Sequence, residues 1–473
     1  MLRNRVFDAK STIHRLFSLT VSLTLVLSCM ILPGCGKVKS EFPTLPETTV
    51  SEETSVSEIE TPIFNTIELT VATPYSLATC TYLAKLYVAK ERGLLGEGIT
   101  GANVDLDYLD SLDIPFVLQV YSTTETGCSI STLREWKSEG TSPDIFLTDS
   151  FDLMVNEGLA LPLGDYLASE TLLSPSNVYS NMLSDFYMNN NQYGIPFQAT
   201  AHVLFCDMEV LQQAGISAVS FRQNKSTLLE ILSALDKLNE DEKKVIPFYF
   251  ASDLIPLLPS TFYGVEYASI RDEAASSAKE YKETLAFLSS LVESGYSYES
   301  LTDKEIEDLL SGLSPLLSRK VGIWYGSSDE ISRYDNYMPN TLSLMEIPSL
   351  SGEDYSPALL SVYPLCVSSD SPHPKEASDF AAFMALDEDA ILLAMRLQQR
   401  EGFLPVVTYP DVWTSSMNGQ KYGAYLLQYQ ENMYDAICIP SVSGSSEYAA
   451  DLQYITDNIS KLLKLSDDVE ANE

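Results

Sequence analysis

From Ile67 onward the chain alternates short β-rich runs with helical stretches, and this alternation restricts the fold more than any other feature. Ile67-Glu68-Leu69-Thr70-Val71 is apolar at every second residue and ends in the Thr73-Pro74 turn signal. A helical stretch follows and closes at Gly93. Phe116 to Tyr121 is the next strand, Ser129 to Glu139 the next helix, and Pro143 to Ser150 a strand running into a loop. Such an order predicts an α/β sheet that is largely parallel. Ligands of these sheets collect at the carboxyl ends of the strands, so the loops at Thr73 to Ser76 and Thr148 to Phe151 face the expected site.

The rest of the chain must accommodate that unit. At 473 residues it is about three times a typical domain of ~150 residues, which predicts two or three folding units. Lys and Arg number 29 against 66 Asp and Glu, a net charge of −37 that repels nucleic-acid backbones, so no nucleic-acid partner is expected. Hydrophobic residues at 45% indicate a globular body rather than a disordered chain. With 3 His and 7 Cys, and no Cys-x-x-Cys or His-Glu-x-x-His pair, neither a metal site nor any other cofactor is expected. Cys80, Cys128, Cys206, Cys366 and Cys438 are an odd set without close spacing, and buried free thiols are the expectation.

The amino terminus reads as an address. Arg3, Arg5, Lys10 and Arg15 precede an apolar run from Leu16 to Leu32, the layout of a secretory signal. Leu32-Pro33-Gly34-Cys35 resembles a bacterial lipobox, which implies a signal peptide over 1–34 and lipidation of Cys35, with palmitate among the acyl groups. Cleavage there removes four positive charges and one negative, leaving −40. Residues 35–65 are rich in Ser, Thr, Glu and Pro and read as a flexible tether with a reach of roughly 30 Å. Anchorage to the cell membrane follows, facing outward, or the periplasm where there are two membranes.

Two further segments carry a family resemblance. Pro143 to Leu167 contains the step Gly158-Leu159-Ala160-Leu161-Pro162-Leu163, and Tyr193-Gly194-Ile195-Pro196 opens a run that continues to Ile216. Lys320 to Gly326 and Glu376 to Val407 follow in the same order. The chain resembles bacterial extracellular solute-binding proteins of the sugar-binding type, relatives of maltose-binding protein, over about residues 66 to 465. Local signals agree: Asp207 is placed to cap a helix stopped by Gly215, and Asp387 to cap one carrying Glu388 and Asp389, with Gly402 as its end. Departures are present as well, for Cys206-Asp207 stands where the family often has Tyr-Asn, and the 322–327 turn is poor in glycine.

The resemblance implies a type II periplasmic-binding-protein fold of two α/β lobes around a ligand cleft. It places lobe one at 66–198 plus 362–412, lobe two at 199–361 plus 413–465, and an acidic tail at 466–473. Crossings fall near Gln198 and Tyr363. The implied function is capture of a small solute, a carbohydrate first of all, by a monomer that delivers it to the permease of an ABC transporter. A sugar asks for aromatic faces against its C–H surface and for carboxylates or amides against its hydroxyls. The candidates are Tyr75, Ser76, Asp149, Ser150, Gln198, Trp324, Tyr325, Tyr363 and Phe403, with Asp149 as hydroxyl acceptor and Trp324 as stacking platform.

Catalysis is the rival class. Ser276-Ser277-Ala278-Lys279 has the Ser-x-x-Lys spacing of penicillin-recognising enzymes, but it sits in one helix-like stretch with no Lys-Thr-Gly companion. There is no Gly-x-Ser-x-Gly elbow, and His202 and His373 are the only histidines of the body. A carboxylate-based glycosidase stays open on composition, as does a binding lipoprotein without a transporter.

Overall fold

The structure is a computed structural model that describes residues 67–463, apart from Ser169, Asp241, Lys243, Phe250, Leu258, 261–266, 351–356 and 440–445. The signal peptide, Cys35, the tether and the acidic tail lie outside the described residues.

The alternation read from the sequence is present. Strand β1 (Ile67–Thr73) leads to α1 (Leu77–Glu91), β2 (Phe116–Ser122) to α2 (Ile130–Glu139), and β3 (Ile145–Leu147) to α3 (Phe151–Asn156). Gly93 takes the left-handed conformation (φ 62°) just past α1, as a helix stop requires. Ser129 caps α2 by accepting from the Thr132 amide.

A 14-residue strand, β4 (Gly194–Asp207), then runs buried along its whole length. Asp207 caps α4 (Met208–Gln213) as expected. After it come α5 (Lys225–Asp236), β5 (Ile246–Tyr249), α6 (Lys279–Glu293), β6 (Val321–Ser327), α7 (Ile331–Tyr337) and β7 (Leu342–Met345). The chain returns along β8 (Leu359–Val367) to α8 (Pro374–Leu386), α9 (Glu388–Leu397), β9 (Phe403–Leu404), α10 (Pro410–Asn418), β10 (Ile437–Ile439) and α11 (Ser446–Leu462).

These strands form one ten-stranded sheet in the order β2-β1-β3-β8-β4-β6-β5, with β7 and β9 also on β4 and β10 on β8. It is mixed, not largely parallel. β1, β2 and β3 pair in parallel at one end, and so do β5 and β6 at the other. Between them β4 and β8 run antiparallel to each other and to their neighbours β6 and β3. The reason is topological: these two long strands connect the halves in opposite directions and enter each parallel group against its sense.

The start of β4 belongs to the first half and residues 202–207 to the second. Where the ladder passes from one half to the other, Tyr363 faces Gln198 but Pro364 faces Pro196, so Phe197 has no partner across the strand. The two facing prolines supply no amide to the ladder, and the result is a β-bulge.

Each half has its own packing. One apolar cluster fills the first half and extends onto one face of the second-half sheet through Phe205, Trp324 and Tyr334. The other face is covered by a second cluster in which Ile323 and Phe248 meet Leu232 and Leu235 of α5 and Leu288 and Leu291 of α6.

Two sequence expectations need correction here. Asp387 does cap α9, but the helix ends at Leu397, and Gly402 (φ 85°) serves a later turn. The stretch carrying the Ser-x-x-Lys spacing is two helices, broken where Ala278 is extended, and Lys279 pairs with Glu283 at 3.6 Å. The five body cysteines are free, four of them buried.

Candidate ligand-binding cleft

The carboxyl ends of β1, β2 and β3 and of β6 converge on the bulged crossing of β4 and β8. At the end of β1, Tyr75 packs edge-on against Phe197 with ring centroids 5.5 Å apart. Burial pushes its hydroxyl up to about 12, although the nearby Arg400 guanidinium opposes the shift. Ser76 has a structural task, since its hydroxyl accepts from the Thr79 amide at 3.1 Å and caps α1. Its own amide donates to Gln398 Oε1 at 3.0 Å, tying the loop to the segment after α9.

At the end of β3, Thr148 donates to the Cys128 carbonyl at 3.0 Å and accepts from the Ser150 amide at 3.0 Å. Ser150 is buried, donates to Asp149 Oδ1 at 2.7 Å and accepts from the Ile130 amide at 3.2 Å. It holds Asp149 in place rather than facing a solute. Asp149 itself is half-buried.

The centre is a polar knot around Arg400. Its Nε donates to Glu125 Oε2 at 2.5 Å, one terminal nitrogen donates to the Glu125 carbonyl at 2.7 Å, and the other to Gln198 Oε1. Gln198 Nε2 donates to the same Glu125 carbonyl at 2.6 Å. The guanidinium lies over the ring of Phe403, 4.0 Å from its centroid. Tyr75, Phe197, Gln198, Gln398, Arg400 and Phe403 all line one cavity of about 70 Å³.

Tyr363 faces Gln198 across the ladder and is buried, with a hydroxyl shifted well upward by burial and further by the carboxylates of Asp329 and Asp149. Those acids come from the two halves: Asp149 follows β3, and Asp329 follows β6. Burial raises the Asp329 carboxyl above the usual range, hydrogen bonding from Ser327 and from its own backbone amide and then the Arg400 charge pull it back, and its Oδ1 is buried without a hydrogen-bond partner.

The β6 end is fixed to the crossing. Ser328 Oγ accepts from the Ala201 amide at 2.9 Å and donates to the Gly402 carbonyl at 2.5 Å, and Ser327 Oγ donates to Thr200 Oγ1 at 2.9 Å. A side chain at 402 would place its Cβ 2.0 Å from the Ser328 carbonyl oxygen.

The structure places Trp324 elsewhere than expected. β6 continues to Ser327, so the turn toward the cleft is Ser327–Glu330, and Trp324 lies inside the strand on its core face. The side chain is 1% exposed, stacked on Phe205 at 5.6 Å and edge-on to Tyr334 at 5.3 Å, so it offers no face to a solute. Tyr325, on the opposite face, hydrogen bonds through its hydroxyl to His202 Nδ1 and stacks on that ring. His202 Nε2 pairs with Ser361 Oγ at 2.9 Å, joining β6, β4 and β8 side by side. Burial pulls the His202 imidazole down to about 4.

Of the nine sequence candidates, Tyr75, Gln198 and Phe403 share the cavity, while Asp149 and Tyr363 belong to the adjoining polar floor. Glu125, Arg400, Gln398 and Asp329 were missed. Glu125 follows the end of β2, so the carboxyl-end rule applied to the first and third strands would have reached it had it been applied to the second.

Residues 137–391, just over half of the chain, match the family model for bacterial extracellular solute-binding proteins. No curated protein sequence matches the chain. Among solved structures, the fold is similar to an ABC substrate-binding protein from Listeria monocytogenes in complex with cycloalternan (TM-score 0.55, 14% identity, 85% of this chain and 100% of that one). It is also similar to a sugar transporter from Rhizobium etli in an open conformation (TM-score 0.56, 14% identity, 86% and 100%). An extracellular solute-binding protein from Staphylococcus aureus in complex with maltose aligns as well (TM-score 0.51, 15% identity, 84% and 98%). With two sheet halves joined by crossing strands and a family match spanning both, this chain belongs to the bacterial extracellular solute-binding proteins and has their two-lobed type II fold.

Proposed function

We propose that the protein captures a carbohydrate in the cleft around Tyr75, Gln198, Arg400 and Phe403 and delivers it to the permease of an ABC transporter. The observation that carries this is the composition of the cleft: the rings of Tyr75, Phe197 and Phe403 stand around one cavity and suit C–H faces, and beside it the largely exposed Glu125 carboxylate, held by the Arg400 guanidinium, suits hydroxyls. Structural neighbours in complex with cycloalternan and maltose support a sugar as the class of solute.

Lobe one is then 66–198 plus 362–412 and lobe two 199–361 plus 413–465, pivoting at Gln198 and Tyr363, where the ladder bulges. Closure brings the Asp329 side onto the Asp149 side around the bound solute. The lipobox resemblance at Cys35 supports a lipid anchor on the outer face of the membrane, with the 35–65 tether as spacer. The protein works as a monomer and performs no chemistry on its cargo.

The test is a thermal-shift screen of the purified protein against mono- and oligosaccharides, amino acids and polyamines. A solute at 100 times its Kd adds about 2.7 kcal/mol of stability. A sugar hit recovered intact is the expected result. A sugar recovered cleaved would replace binding with hydrolysis, and hits confined to amino acids or polyamines would overturn the carbohydrate assignment.

A further inference from the structure

On the carbohydrate assignment proposed above, we infer that the solute carries a small methyl-terminated substituent, such as an acetyl or a deoxy-sugar methyl, which seats in the cavity behind Arg400. Size is the first observation. About 70 Å³ is roughly half of the ~150 Å³ that accommodates benzene, so the cavity takes a substituent and excludes a whole pyranose ring.

The second observation is the state of its polar lining. Gln198 uses both ends of its amide, on the Glu125 carbonyl and on Arg400. Gln398 does likewise, accepting from the Ser76 amide and donating to the Pro74 carbonyl at 2.9 Å. Gln399 Nε2 donates to the Ser416 carbonyl at 3.3 Å, and the Ser416 hydroxyl accepts from Gln420 at 3.3 Å. The other walls are Phe197, Met384, Ile391, Met395, Leu404 and Val406. A sugar hydroxyl pushed into this space would lose its water and compete with protein groups already paired, which is unfavourable. A methyl loses nothing there and gains contact with aliphatic walls that include two adaptable methionines.

The experiment is calorimetric titration of the purified full-length protein with matched sugars: N-acetylglucosamine against glucose, L-fucose against L-galactose, and chitobiose against cellobiose. At least one methyl-bearing member is expected to bind about tenfold or more tightly than its bare counterpart. Ile391→Phe, which fills the cavity from α9, should abolish that advantage, bringing the methyl-bearing sugar's affinity down to that of its bare counterpart measured on the same variant. Met395→Phe fills the same space from the next turn of the helix and serves if the first variant does not fold. Bare sugars that bind as well as their methyl-bearing partners, or an advantage that survives filling, would overturn the inference while leaving the carbohydrate assignment standing. Binding of no sugar at all would remove both.

Discussion

Two arginine–carboxylate pairs in this molecule have opposite exposure, and the contrast separates scaffold from the proposed site. On the second half, Asp207 is fully buried and its partner Arg319 is 31% exposed. The carboxylate caps α4 through the Glu209 amide at 3.0 Å and takes Arg319 in two bonds of 2.6 and 2.9 Å, while Arg319 also reaches Glu209 and Thr341. In the cleft the order is reversed: Arg400 is 10% exposed and Glu125 is 59% exposed. Asp451 repeats the first arrangement, fully buried beneath Arg271 and bonded by Tyr267 and Ser269. A buried carboxylate ringed by donors has nothing left to offer. A buried guanidinium with its counter-ion in solvent can exchange that counter-ion's place for a solute's oxygens without opening the core.

The comparison can be broken most forcefully at Asp207. Asp207→Ala removes the helix cap and both of its bonds to Arg319, leaving that arginine only Glu209 and Thr341, at an expected cost of about 3–4 kcal/mol in thermal or urea unfolding. Solute affinity measured below the melting range should be unchanged. A stable Asp207→Ala protein with weakened binding would invert the assignment of scaffold and site.

Acid distinguishes the regions next. His202 lies under the cleft, and its imidazole is pulled from the usual 6.5 to about 4 by burial. Below pH 6.5 the unfolded chain takes up a proton that the folded chain refuses, so stability falls as pH drops and the loss is complete near pH 4, on the order of 3 kcal/mol. In a pH series of melting curves His202→Gln should flatten that limb. An unchanged limb would assign the acid sensitivity to other groups.

The smallest stability effect is expected at Glu125. Because the carboxylate is largely in water, Glu125→Gln should change stability by less than about 1 kcal/mol. Solute affinity is where the variant should register, as a several-fold change in Kd by calorimetry. A stability loss as large as that of Asp207→Ala would show that the exposed pair is scaffold too.

Much of the architecture was legible in the sequence because it rests on local signals. The alternation from Ile67, the cap at Asp207, the cap at Asp387 and the turn at Gly93 each depend on neighbours within a few residues. The crossing at Gln198 and Tyr363 was reached only through the family resemblance. Trp324 was misjudged for a specific reason: the end of β6 was set a few residues early, and in a strand each one-residue shift exchanges the core face for the other. Arg400 was invisible for a different one. Its partner Glu125 is 275 residues away, and no local pattern distinguishes an arginine that will be buried from one on the surface.

The bulge at Phe197 has a mechanical consequence. Across its width the cleft floor is tied by the Tyr325–His202–Ser361 chain and by the Ser328 bonds to Ala201 and Gly402. Along its length, two prolines face each other beside an unopposed residue. Such a floor is a beam braced sideways and notched once, and on the proposed two-lobed motion the notch is where flexure concentrates. The travel of the cleft mouth is then governed by the backbone torsions of Phe197, the same residue whose ring forms a wall of the cavity, so that what fills the pocket also loads the spring.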